Sequence, residues 1–292
     1  MQAATSALVD VHPIDAGLGA EIRGVDLSKP LDRRTGAAIL DAWHSHSALV
    51  IRNQSLTDPQ LIAFSRLFGE LEMAPPNKSG SHWIEGYPEL ACISNITVNG
   101  EPVGSLGSGE AIWHTDMSFM AEPPAASLLY SLEIPKRGGA THLANMYKAY
   151  ETLPADLKRR VESRVAVHDA TYTSAGEVRK KFAAFVGTTD PERAPGARHP
   201  LVRVHPATGR KALYLGRRSG ASGILGETDS QLWDALWEHC GDPALTWAHE
   251  WAVGDLLIWD NRCTMHYREA FDDAERRMMH RTQIRGEAPV AA

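Results

Sequence analysis

The stretch Ala111–Phe119, AIWHTDMSF, decides how this chain is read. His114 and Asp116 stand two residues apart among apolar and aromatic neighbours. In a strand, residues i and i+2 point to the same face. The spacing therefore predicts an imidazole and a carboxylate side by side on one sheet face. Such a pair is two-thirds of a metal site. On its own it is a weak signal, because a histidine and an aspartate on one face are more often ordinary core or surface residues.

On the N-terminal side lies NGEPVGSLGSGE (99–110), rich in glycine. No helix follows those glycines, so a phosphate-cradling loop is not expected. A flap at a pocket mouth is. On the C-terminal side, ASLLYSLEI (126–134) and THLAN (141–145) read as strands joined through Gly138-Gly139. Further strands are read at 48–53, 90–96, 165–172, 246–252, 255–261 and 278–286, with a hairpin of 201–205 and 211–216 around PATGR. Helices are expected at 32–46 behind Asp32, after Thr57 with Pro59 in the first turn, at 147–153 and 155–163, and at 227–240. This pattern predicts a mainly β fold: one double-sheet barrel or jelly roll with helices packed outside. No repeat or linker divides the chain, so residues 1–292 are expected to form a single domain. Residues 173–200 carry no clear period, and a long irregular segment of that kind reads as a mobile loop or lid.

Composition narrows the function classes. Hydrophobic residues make up 43% and charged residues 23%, within the range of globular proteins. The net charge of −6 argues against a nucleic-acid surface. Cys92, Cys240 and Cys263 are far apart and odd in number, which fits reduced buried thiols rather than a disulfide framework or a thiolate zinc site. No basic-then-apolar leader and no stretch near the roughly 18 apolar residues of a membrane helix is present. A cytoplasmic location without a membrane partner is the expectation.

The search for a third ligand leads to 255–286, DLLIWDNRCTMHYREAFDDAERRMMHRTQIRG. His266 follows an apolar strand and the polar turn Asp260-Asn261-Arg262. Arg277 lies eleven residues on and Arg281 four beyond that. In a closing strand positions 277 and 281 share a face, so both guanidiniums can point inward. An inward arginine is costly unless it meets an anion, and carboxylate is the anion it recognises best. Two histidines and a carboxylate suit iron(II) with open positions, although a zinc hydrolase accepts the same set.

WHTDMSF, PPA, GGATHLANM and WDNRCTMHY…ERRMMHR, in that order, resemble the taurine/2,4-dichlorophenoxyacetate (TauD/TfdA) dioxygenase family, from about residue 12 to 287. The resemblance implies a double-stranded β-helix, cupin-like core and an oxygenase using iron(II), 2-oxoglutarate and O2. It implies His114, Asp116 and His266 as metal ligands, and Thr141 and Arg277 as contacts of 2-oxoglutarate. It implies Arg281 as the anchor of a small anionic substrate. Trp113 and Phe119, beside the ligands, and His82, in the loop 73–89, are candidate pocket residues. In the family's reaction 2-oxoglutarate is decarboxylated to succinate and a substrate C–H is hydroxylated. A carbon bearing an ether oxygen or sulfonate then yields a phenol or sulfite and a carbonyl compound.

The taurine enzymes place an asparagine shortly before the first ligand, where this chain has Gly109-Glu110. KALYLGRRSGASGILG and VGDLLIWDNRC look closer to the aryloxyalkanoate enzymes. The expectation is thus an aryloxyalkanoate-type oxygenase, with taurine or alkylsulfonate oxygenation as the alternative. A zinc hydrolase and a barrel that only binds are the rivals from other classes. Family resemblance also suggests a homo-oligomer.

Overall fold

The computed structural model describes residues 9–14, 17–77, 79–227 and 229–292. Two antiparallel-rich sheets face one another. Among the described residues the larger has eight strands, in the order Asp10–Pro13, Ala20–Arg23, Ala48–Ile51, Leu256–Asp260, Ala126–Glu133, Met278–Ile284, Ala91–Ser94 and Ser105–Leu106. The smaller has four: Thr246–His249, Thr141–Asn145, Thr264–Arg268 and Ala111–His114. Strands distant in sequence lie side by side in both, and this is the double-stranded β-helix with helices outside.

Side-chain alternation explains why the large sheet can separate two cores. Leu49, Ile51, Leu128, Tyr130, Leu256 and Ile258 pack on one face with Ile39 and Trp43 of helix Arg33–His46 and Leu61 and Phe64 of helix Asp58–Ser65. Their neighbours Ala48, Val50, Leu129, Leu257, Trp259 and Met279 point the other way, towards the small sheet, with Leu143 among them. Each large apolar side chain removed from water there contributes roughly 1.5–3 kcal/mol. Both helices start as the sequence predicts. Asp32 accepts from the backbone N–H groups of Arg34 and Thr35, and Gln60 Oε1 accepts from the Thr57 N–H at 2.8 Å. A third core, on the outer side of the small sheet, holds Ala144, Met265, Tyr147, Leu232 and Leu236.

The chain passes from the large sheet to the small one through Asp260–Cys263. Asp260 fixes that turn: its carboxylate accepts from the Arg262 backbone N–H at 2.9 Å and from the Arg262 guanidinium at 2.9 and 2.7 Å. Trp259 and His266, on either side of the turn, then face each other with ring centroids 4.7 Å apart.

Some elements differ from the sequence reading. The run 99–110 holds two-residue strands, Glu101–Pro102 and Ser105–Leu106, the second pairing in parallel with Ala91–Ser94. Residues 173–200 contain 3-10 turns at Lys180–Phe185 and Pro191–Arg193, and the strand Arg198–Pro200. The helix expected from 227 begins at Ser230, where Asp229 accepts from the Gln231 N–H. Cys92, Cys240 and Cys263 are buried free thiols, and no described helix is long and apolar enough to cross a membrane.

Candidate active site

His114 is the last residue of its strand, and His266 pairs with it across the neighbouring strand. Their ring centroids are 4.1 Å apart. Asp116 is not on the strand. The chain leaves the sheet after His114, because the Thr115 N–H donates to the Gly216 carbonyl at 2.8 Å. It then turns through Met117, whose φ is 46°. The turn, not strand alternation, brings Asp116 Oδ1 to 3.6 Å from His114 Nε2 and 3.8 Å from His266 Nε2. All three side chains are buried, and their ligand atoms lie within 4.8 Å of one another.

The donor atoms are oriented for a cation. His114 Nδ1 lies 2.7 Å from the Ile112 carbonyl, an acceptor only, so Nδ1 carries the proton and Nε2 keeps its lone pair towards Asp116. Burial, with Arg217 adding and Asp116 opposing, pushes His114 below its usual range. Burial and the neighbouring His114 push His266 further down. Burial alone would raise the Asp116 carboxyl, but the Arg281 guanidinium beside it holds it well below the usual range. Two neutral imidazoles and an ionised carboxylate are the protonation states a divalent ion requires.

His114 and His266 of the triad line a cavity between the sheets. Ile93, Leu106, Leu129 and Trp259 give it apolar walls; Thr141, Arg268, Arg277 and Arg281 give it polar ones. Arg277 is 1% exposed, and its Nε has no hydrogen-bond partner among the described residues. Burial and the nearby Arg268 pull its guanidinium down to about 9. A cation in this position is costly until an anion reaches it. Thr141 accepts from Trp251 Nε1 at 3.1 Å, which leaves its own hydroxyl proton to donate. Arg281 Nη1 lies 3.3 Å from Asp116 Oδ1.

The remaining residues singled out by sequence lie elsewhere. Trp113, half-buried, faces Tyr267 and His142 at ring distances of 5.5 and 6.4 Å. Phe119 carries the Arg179 guanidinium 4.1 Å above its ring. His82 is exposed and does not line the cavity. Arg268 was not foreseen. It lines the cavity and donates to the carbonyls of Leu106, Gly107 and Gly109, tying the Gly-rich run to the small sheet. Its partners are backbone atoms, which leave no trace in a sequence pattern.

The fold and the site together define a two-histidine, one-carboxylate centre on a double-stranded β-helix. A family model described as taurine catabolism dioxygenase TauD, TfdA family matches residues 10–283, and the chain belongs to that family. It is 32% identical to the (S)-phenoxypropionate/alpha-ketoglutarate-dioxygenase of Sphingobium herbicidovorans, covering 97% of this chain and 96% of that one. It is 34% identical to the alpha-ketoglutarate-dependent sulfate ester dioxygenase of Pseudomonas putida, covering 97% and 91%. Among solved structures it resembles AAD-2 in complex with Mn(II) and N-oxalylglycine, with a TM-score of 0.77, 28% identity and coverage of 97% and 99%. The chain is a 2-oxoglutarate-dependent oxygenase, which sets aside the zinc-hydrolase and binding-barrel readings.

Proposed function

We propose that this oxygenase uses iron(II) and O2 to hydroxylate a C–H of a small organic anion, and that the anion is an aryloxyalkanoate. The observation that carries the reading is Arg277, a fully buried guanidinium with no anionic partner among the described residues, lining the same cavity as His114 and His266. A dicarboxylate cosubstrate supplies the missing charge. In this reading His114, Asp116 and His266 hold the metal, and Arg277 pairs with one carboxylate of 2-oxoglutarate while the Thr141 hydroxyl donates to a carboxylate oxygen. N-oxalylglycine, seen with Mn(II) in AAD-2, has the 2-oxoglutarate skeleton with N–H replacing a methylene. The chemistry supplied by iron(II) at this centre is oxidative: 2-oxoglutarate leaves as succinate and carbon dioxide, and the substrate gains a hydroxyl.

The residues of the chain do the rest. Arg281 offers a cation to the substrate's acidic group, and Ile93, Leu106, Leu129 and Trp259 exclude water around its apolar part. An aryl ring with a carboxylate matches that pairing of apolar wall and arginine. Hydroxylation at the ether carbon gives a hemiacetal, whose hydroxyl becomes a carbonyl as the C–O bond breaks, so that a phenol, carrying the hydroxyl proton, and a 2-oxo acid are released. Residues 1–292 act as one catalytic unit. Residues 173–200 serve as its lid, a role supported by the Arg179 contact with Phe119 and by the Ala197 N–H donating to the Phe119 carbonyl at 2.9 Å.

The relative from Pseudomonas putida favours a second reading, oxygenation of a sulfate ester or alkylsulfonate, in which Arg281 would meet a sulfur oxyanion instead. One assay separates them. The chain is supplied with iron(II), 2-oxoglutarate and oxygen, and offered phenoxyacetates, both hands of 2-phenoxypropionate, alkyl sulfates and alkylsulfonates. Phenol release coupled to succinate is the expected result. Sulfate or sulfite release with no phenol would replace the first reading by the second.

A further inference from the structure

Four buried side chains behind the triad form a closed relay ending on Asp116. Trp259 Nε1 donates to Asn261 Oδ1 at 3.0 Å. That bond fixes which end of the Asn261 amide is nitrogen, and Asn261 Nδ2 donates to Ser127 Oγ at 3.2 Å. Gln283 Nε2 donates to the same oxygen at 3.2 Å. A hydroxyl has one donor hydrogen and two acceptor positions. Both acceptor positions of Ser127 are filled by amides that can only donate. Its hydrogen must go to its remaining neighbour, Asp116 Oδ2, 2.7 Å away. Ser127 and Asn261 are at most 1% exposed and Gln283 is 6% exposed, so water does not compete for these bonds.

We infer that Ser127, Asn261 and Gln283 are positioning residues that hold Asp116 as a one-oxygen ligand. This rests on reading His114, Asp116 and His266 as the metal site. Oδ2 accepts the Ser127 hydroxyl at 2.7 Å and Oδ1 alone faces the two imidazoles, while Arg281 Nη1 reaches both oxygens at the longer distances of 3.4 and 3.3 Å. A carboxylate free to turn could offer both oxygens and take one of the positions that cosubstrate and oxygen need. The same relay reaches the other side of the centre, because the Trp259 indole that orients Asn261 packs on the His266 ring. Asp116 and His266 are therefore set by one rigid unit of the large sheet. Outer-shell partners of this kind fix ligand orientation and basicity.

The test is the binding of Co(II), without substrate or turnover, to the wild type, Ser127→Ala and Gln283→Met, followed by calorimetry and by the visible bands of the bound ion. Ser127→Ala is expected to bind Co(II) roughly 10–100-fold more weakly and with altered visible bands. Gln283→Met, which keeps the hydroxyl but frees one of its acceptor positions, should show a smaller shift of the same kind. It carries the test if Ser127→Ala loses its near-ultraviolet circular dichroism. Affinities within about twofold of wild type and unchanged bands in both variants would overturn the inference. Failure of the wild type itself to bind Co(II) would instead remove the metal-site reading on which it rests.

Discussion

Two buried clusters among the described residues offer three ligand-type side chains within 4.8 Å: His114, Asp116 and His266, and His205, Asp260 and Cys263. Their composition is similar and their wiring is not. In the second, His205 Nε2 lies 2.9 Å from Asp260 Oδ2, and His205 Nδ1 accepts from the backbone N–H groups of Ala207 and Thr208. Asp260 is also gripped by Arg262, and burial pushes the Cys263 thiol up to about 12. Its strongest donor atoms are already spoken for, and its charge is balanced within the cluster. In the first, His114 Nε2, His266 Nε2 and Asp116 Oδ1 converge beside a cavity that also contains Arg277, which has no anionic partner among the described residues. Spare lone pairs and unbalanced charge next to free space distinguish a site from a brace. The brace still serves the site, since Asp260 holds the turn that delivers His266.

The largest effect that would break or sharpen this contrast is on turnover. His114→Ala or Asp116→Ala should lower succinate formation by at least roughly a thousandfold, because several kcal/mol of transition-state stabilisation rest on the metal. His205→Ala should instead cost about 1.5–3 kcal/mol of stability, the worth of a buried hydrogen bond to a carboxylate that Arg262 still pairs, read in urea, while the folded fraction keeps its activity. Loss of activity per folded molecule in His205→Ala would erase the distinction between the clusters.

Arg277→Met probes the charge imbalance. Removing one partner of a buried charge pair costs about 2–5 kcal/mol, so KM for 2-oxoglutarate should rise roughly 30-fold or more. The ligand-free chain should become more stable, because an uncompensated buried cation is gone; each kcal/mol recovered raises the thermal midpoint by roughly 2–4 °C. A lower midpoint in the variant would mean that Arg277 is already balanced without an anion.

The smallest expected effect is on acid stability. Burial would raise the Asp260 carboxyl, but Arg262 and His205 hold it below the usual carboxylate range. Its folded pKa is thus below its unfolded one. The stability it contributes is complete above the unfolded value of about 4 and is lost as pH falls towards the folded value. Asp260→Asn, although less stable at neutral pH, should lose stability less steeply below about pH 4. Parallel acid-unfolding curves for the two proteins would contradict this.

Much of the site was legible in the sequence because its chemistry is carried by residue type and order. His114, Asp116, His266 and Arg277 were picked out from spacing and from the family resemblance, and the structure gathers the first three within 4.8 Å of one another. The period-2 argument works for positions 277 and 281, which line the same cavity. It fails for Asp116, because a bond from Thr115 to Gly216, about a hundred residues away, ends the strand first. His82 sits in a loop without periodicity, and nothing in that pattern says whether it faces inward. Ser127 looks like an ordinary serine within ASLLYSLE. Its role comes from partners 134 and 156 residues distant, which only the folded sheet brings together. A serine set between the apolar residues Ala126, Leu128 and Leu129 was the one available hint.

The central claim is that the first cluster, and not the second, holds the metal. Its most direct test is Mn(II) stoichiometry, measured by electron paramagnetic resonance on the wild type, His114→Ala and His205→Ala. The account predicts one bound ion per chain in the wild type and in His205→Ala, and none in His114→Ala. Retention of the ion by His114→Ala, with its loss from His205→Ala, would contradict it.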